Sequence, residues 1–194
     1  MEDSKKLKGK DFVNIGVFAA IYFIIMFAVA CLGFIPVFMP LLYVLVPLIG
    51  GIPFMLFLTK VKKFGMIWIF ATICGILSFV TGMNIIPIFL SIAVGLIADL
   101  LCKSGDYKSS KKGILACGIF SLWIMGYCAP LYINPERYWS NRSSYGEEYA
   151  QAVMTFFPGW TFPIYLIACF IFGCLCAMLG KLMLKKHFAK AGIV

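Results

Sequence analysis

Charge is what this chain has least of. Of 194 residues, 17 are Lys or Arg and 8 are Asp or Glu, together 13%. Soluble domains carry about a quarter charged residues. Histidine occurs once, at His187, beside lysines near the C-terminus. That leaves no plausible Ser–His or Cys–His pair for nucleophilic catalysis. No glycine-rich phosphate loop is present, so the chain is not expected to hydrolyse ATP itself. No repeat relates the two halves, against an inverted-repeat carrier. The eight cysteines sit mostly inside apolar runs, where Cys acts as a small apolar residue. Cys174-x-Cys176 has no further ligand at suitable spacing, so neither a disulfide scaffold nor a metal or other cofactor is expected.

What is present is grease. Hydrophobic residues make up 62% of the chain. This predicts an all-α, polytopic integral membrane protein filling one transmembrane domain over 1–194. The apolar runs predict six transmembrane helices at 12–33, 35–59, 66–82, 84–102, 114–133 and 159–184. The first run has 22 uncharged residues, about 33 Å as a helix, enough to cross a bilayer. It is too long for the apolar region of a signal peptide. The second carries Pro36, Pro40, Pro47 and Pro53. It is expected to be broken and packed against protein, because proline frees backbone carbonyls that lipid cannot satisfy.

The net charge of +9 need not mean nucleic acid, because lysines flank membrane spans. Six spans put all 15 lysines on one side and only Arg137 and Arg142 on the other. That split predicts both termini in the cytoplasm and the polar loop 134–158 outside.

This loop is the chemically richest stretch. It holds both arginines, Glu136, Glu147 and Glu148, with Tyr138, Trp139, Tyr145 and Tyr149 interleaved. Residues 146–157 fit an amphipathic helix. Tyr149, Val153, Phe156 and Phe157 fall on one face, opposite Glu147, Glu148, Gln151 and Thr155. Such a helix is either a lid over an outward cavity or an interfacial helix anchored by Trp160. Asn84, Trp123 and Tyr127 are candidates to line that cavity from below. The acids are candidates for a cationic or hydrogen-bonding ligand. Glu147-Glu148 resembles the paired glutamates of membrane CAAX-type proteases, but Ala152 stands where those have Arg. Asp99 is the one acid well inside an apolar run. An i,i+4 ion pair with Lys103 is its expected partner. Gly16 and Ala20 share a face of the first helix, where small residues let another helix approach closely.

The stretches LGFIPVFMPLL, LIGGIPFMLFLTKVKKFG, GIFSLWIMG, YGEEYA and LGKLMLKKHFAKAGI closely resemble the Trep_Strep family, also called MptD, over nearly the whole chain. The resemblance implies a substrate-binding S component of an energy-coupling factor (ECF) importer in a bacterial cell membrane. Such proteins bind a vitamin or other micronutrient from outside. A transmembrane T protein and two cytoplasmic ATPases supply the energy. Small residues on helix one, typically Ala-x-x-x-Ala, contact the T protein; the matching positions here are Gly16 and Ala20. The ligand is expected near the outer surface, among helices four to six and the outward loops. No family motif assigns contacts. The candidates Asn84, Trp123, Tyr127, Arg137, Tyr138, Glu147, Glu148, Tyr149 and Trp160 rest on location and chemistry. An autonomous permease or channel, or an accessory membrane protein, is the alternative.

Overall fold

A computed structural model describes residues 6–184. Lys5, Lys185, Lys186, Lys190 and His187 lie outside the described residues. The described chain is helical, and the helices are named here in order. They are α1 (Gly9–Ala30), α2 (Phe38–Leu58), α3 (Met66–Val80), α4 (Ile86–Lys103) and α5 (Ser110–Ser121). Then come α6 (Met125–Ile133), α7 (Pro135–Ser140), α8 (Glu147–Met154) and α9 (Thr161–Met183). A 3₁₀ turn, Leu122–Ile124, joins α5 and α6 into one apolar element.

Five elements are long and apolar enough to cross a bilayer: α1 with its following turn, α2, α4, α5–α6 and α9. The expected third span is shorter. Its helix, α3, has 15 residues, or about 22 Å against a hydrocarbon core of about 30 Å. Glycines with positive φ bound it, Gly65 at 99° and Gly82 at 88°. These left-handed residues stop the helix where a residue with a Cβ would be strained. It still runs from one end of the bundle to the other, because Gly65 bonds to Asp99 at the lysine end while Thr81 reaches the cavity at the opposite end.

Two ends can be told apart. At one end Lys63 Nζ lies 2.8 Å from Asp11 and 3.1 Å from the Lys6 carbonyl. Lys103 sits over the Phe64 ring, and Lys112 bonds Ser104. At the other end Tyr149 donates to the Gly33 carbonyl. Lysines thus gather at one end of the bundle, and the arginine loop covers the other.

The second helix corrects an expectation. It is continuous from Phe38 to Leu58 despite Pro47 and Pro53. Pro40 falls in its first turn, where no N–H is needed. Pro47 removes the donor that would have served the Tyr43 carbonyl. That carbonyl instead accepts the thiol of Cys169, on α9, at 3.1 Å. The same repair recurs in α6, where Pro130 frees the Gly126 carbonyl. Asn84 Nδ2 donates to it at 3.3 Å. At Pro47 and Pro130 the freed acceptor is thus satisfied by a side chain from another part of the fold, as a membrane interior requires.

Close packing of helices rests on small residues. A Cβ placed on Gly51 of α2 would lie 2.7 Å from Cys176 Cβ on α9. Gly118 of α5 and Gly173 of α9 are likewise pressed against Cys174 and Ser121. With no hydrophobic drive between helices in lipid, this intimacy is what van der Waals association needs. The α5–α6 element is the most central: 61% of its apolar window is buried, against 22% for α1 and α9. Around it Tyr22, Phe54, Phe57, Phe70, Phe120 and Trp123 form one aromatic core, with neighbouring centroids 4.5–6.4 Å apart.

Asp99 is fully buried, and its partner is not Lys103. Its Oδ2 accepts the backbone N–H groups of Gly65, Ile67 and Trp68 at 2.9–3.1 Å. Its Oδ1 accepts the Tyr107 hydroxyl at 2.7 Å. The carboxylate therefore caps the start of α3, whose first N–H groups have no partner within the helix. A negative group is favoured at that end of the dipole. Lys103 turns away onto Phe64, 4.7 Å from its ring centroid. Burial, and then the bond to Asp99, hold the Tyr107 hydroxyl proton well above the usual range.

Candidate functional site

The loop 134–158 folds into two short helices and a 3₁₀ turn, Ser143–Tyr145. Asn134 caps α7 through its side chain, accepting the Arg137 N–H at 2.9 Å. Trp139 and Arg142 are then fixed to each other, because Arg142 N donates to the Trp139 carbonyl at 2.9 Å. Gly146, at φ 81°, turns the chain into α8. There the amphipathic reading holds. Val153 and Phe157 are buried, whereas Glu147, Glu148, Gln151 and Thr155 are exposed. Tyr165 and Tyr43 stack beneath Phe157 and fasten the end of the loop to α9 and α2.

Beneath the loop lies a cavity of about 180 Å³. This is roughly ten times the space that one water needs. Trp123 and Tyr127 line it from the α5–α6 element. Phe23, Met26, Phe27 and Ala30 line it from α1, and Met39, Leu42, Tyr43 and Val46 from α2. Thr81 and Met83 close one side, and Tyr138, Trp139, Arg142, Tyr145 and Tyr149 form the roof. The roof is a set of edge-to-face and tilted rings with centroids 5.0–6.5 Å apart. It is tied to the α1–α2 turn twice, by the Tyr149–Gly33 hydrogen bond and by stacking of Tyr145 on Phe34.

Polar groups in this wall are few. The Trp123 indole is already committed, donating to Tyr22 at 3.2 Å. The Thr81 hydroxyl donates to the Ser78 carbonyl. Trp139 Nε1 is buried and has no hydrogen-bond partner. Arg142 lies over the Tyr138 ring, 4.2 Å from its centroid, a cation–π arrangement. Among the described residues the ion pair is Lys63–Asp11; neither arginine lies within 4.0 Å of a loop acid. Burial pushes the Tyr138 phenol up despite the nearby Arg142, and pushes Tyr149 up to about 12. The roof is therefore partly dry, which strengthens any charge interaction made there.

The structure brings together four of the sequence candidates: Trp123, Tyr127, Tyr138 and Tyr149. Five lie outside the wall. Asn84 is occupied at both ends, by Gly126 and by the Ile86 N–H. Arg137, Glu147 and Glu148 are exposed on the outer surface of the loop. Trp160 is 68% exposed, at the start of α9. Arg142, Trp139 and the wall from α1 and α2 were missed. A signal for the roof was present: Trp139 and Arg142 lie three residues apart in the one stretch that interleaves arginines with aromatic rings. A signal for α1 was the pair Phe23 and Phe27, four apart and stacked.

On α1, Gly16 and Ala20 are exposed. A Cβ on Gly16 would meet no atom within 4 Å, so these small residues do not pack against the protein's own helices. A second cavity, about 220 Å³, lies at the lysine end beside Lys108 and Lys181. It borders Leu184, where the described residues end.

No curated protein and no solved structure matches this chain. A family model does match, over residues 9–190, for a hypothetical bacterial integral membrane protein. Its span takes in every helix described above, from α1 with its exposed small face to α9 and the roofed cavity between them, and the chain belongs to the Trep_Strep family.

Proposed function

We propose that this protein is the substrate-capturing S component of an ECF-type importer, binding a small molecule from outside in the cavity under the 134–158 loop. The observation that carries the reading is that cavity. It has aromatic walls and is roofed by a loop latched to the α1–α2 turn. Concave, largely apolar sites with few placed polar groups are the usual form of small-molecule sites. The lysine distribution favours the roofed end facing outward, with both termini in the cytoplasm and α3 completing six crossings. The chemistry of energy supply falls to partners: a T protein in the membrane and two ATPases. The exposed Gly16 and Ala20 suit a helix of that T protein, since among the described residues no atom lies within 4 Å of a Cβ placed on Gly16, and Ala20 is open beside it.

The rival, an autonomous proton-coupled carrier, loses its best residue. Such carriers use an accessible intramembrane ionisable group, and Asp99 is fully engaged in capping α3.

The test couples binding to transport. Gly16→Leu and Ala20→Leu are expected to abolish ATP-dependent uptake in vesicles holding the T protein and both ATPases. The substrate is the small molecule released when the purified chain is denatured. Binding of that molecule by the isolated variants should match the unaltered chain. Uptake at the unaltered rate in both variants refutes the docking face. Uptake by the purified chain alone refutes the S-component reading.

A further inference from the structure

Resting on the reading of this cavity as a ligand site, we infer that its ligand is a small anion with a flat apolar body, its negative group held by Arg142 and Trp139. Among the described residues the cavity wall contains one charged side chain, the Arg142 guanidinium, and no carboxylate. The three loop acids lie outside the wall, and none of them neutralises Arg142. Trp139 lines the same cavity and meets the same Tyr138 ring as Arg142, and its Nε1 is a buried donor with no partner among the described residues. A buried donor left without an acceptor is costly, so its persistence points to a partner that supplies one. The two donors belong to one turn, tied by the Arg142 N to Trp139 carbonyl bond. They form a preset pair for a carboxylate, phosphate or sulfonate oxygen.

Tyr149 has spent its proton on the Gly33 carbonyl and Thr81 its own on Ser78, so neither competes as a donor. The charge in the wall is carried by the guanidinium. A planar guanidinium presents several N–H groups in a fork that fits two oxygens at once. Its seat over Tyr138, 4.2 Å from the ring centroid, anchors that fork in the roof. The rest of the wall is mostly rings, methionines and aliphatic side chains, which offer a flat body stacking and dispersion.

Three probes of nearly the same shape separate the possibilities: benzoate, benzamide and benzamidine. Their binding to the full chain in nanodiscs is measured by saturation-transfer NMR titration, with empty nanodiscs subtracted. Benzoate is expected to bind about 10-fold or more tighter than the neutral and cationic probes, the range for a charge-assisted hydrogen bond. Arg142→Gln should erase that preference, and Arg142→Lys should keep its sign. Trp139→Phe, which keeps the ring, should weaken benzoate about 2–10-fold. Equal or tighter binding of benzamidine, a benzoate preference unchanged in Arg142→Gln, or binding of none of the three overturns the inference. The importer reading is judged separately. ATP-dependent uptake in a protein that prefers benzamidine keeps that reading and removes the anion. A benzoate preference without any coupling to the ATPases does the reverse.

Discussion

Asp99 shows what a single carboxylate can be when it is read in three dimensions. An acid four residues before a lysine invites an ion pair, and exposed pairs of that kind contribute at most about 1 kcal/mol. The structure gives it a heavier task, since three N–H groups and one hydroxyl converge on it. Asp99→Ala should strand those donors in a dry region and lower stability by about 2–4 kcal/mol. Lys103→Gln should change it by no more than about 0.5 kcal/mol. Unfolding of both variants in detergent, followed by circular dichroism, decides between cap and pair. Equal losses would restore the pair. The sequence carried Asp99's depth but not its partners, because Gly65, Ile67 and Trp68 are 31–34 residues away along the chain. Arg142 was obscured for a different reason: the loop offers two arginines and three acids together, and the sequence does not tell which of them faces a cavity.

At the scale of elements, apolar runs located the helices well, since a bilayer dictates both length and composition. Prolines misled about α2. The physics behind the expectation was sound, for a carbonyl is freed at Tyr43 and another at Gly126. The repair was invisible because the donors come from Cys169, 126 residues away, and Asn84, 42 residues away. This makes Asn84 a structural group, placed at the α3–α4 turn to mend α6. Asn84→Ala should leave the Gly126 carbonyl unsatisfied next to a proline and cost about 1–3 kcal/mol, read as a lower unfolding midpoint. Its ligand affinity should stay as it was, because its side chain is outside the cavity wall. A large affinity loss with normal stability would return Asn84 to the site. The amphipathic α8 was legible from its own pattern, because a helix lying on a surface records its two faces in 3.6-residue spacing. The wall from α1 and α2 was not, since a helix that is apolar all round hides which face meets a cavity.

For the whole molecule, the deciding question is which end of the bundle faces out. The structure has two chemically distinct ends, one with lysines and one under the arginine loop. The positive-inside rule predicts the lysine end in the cytoplasm. Cysteine labelling turns this into a measurement. Seven of the eight cysteines are buried or half-buried, and Cys31 is the exposed one, at the cavity end. In a Cys31→Ser background, Ser144→Cys on the roof should react in intact cells with a membrane-impermeant maleimide. Lys108→Cys, in the α4–α5 turn, should react only after the cells are opened. Both positions are exposed in the folded chain, so the contrast reports the side of the membrane and not burial. The reverse pattern would put the arginine roof inside, and capture from outside would fail with it. Labelling of both in intact cells would mean two orientations coexist. The expected pattern would place the guanidinium of Arg142 where a scarce anion outside the cell meets it first.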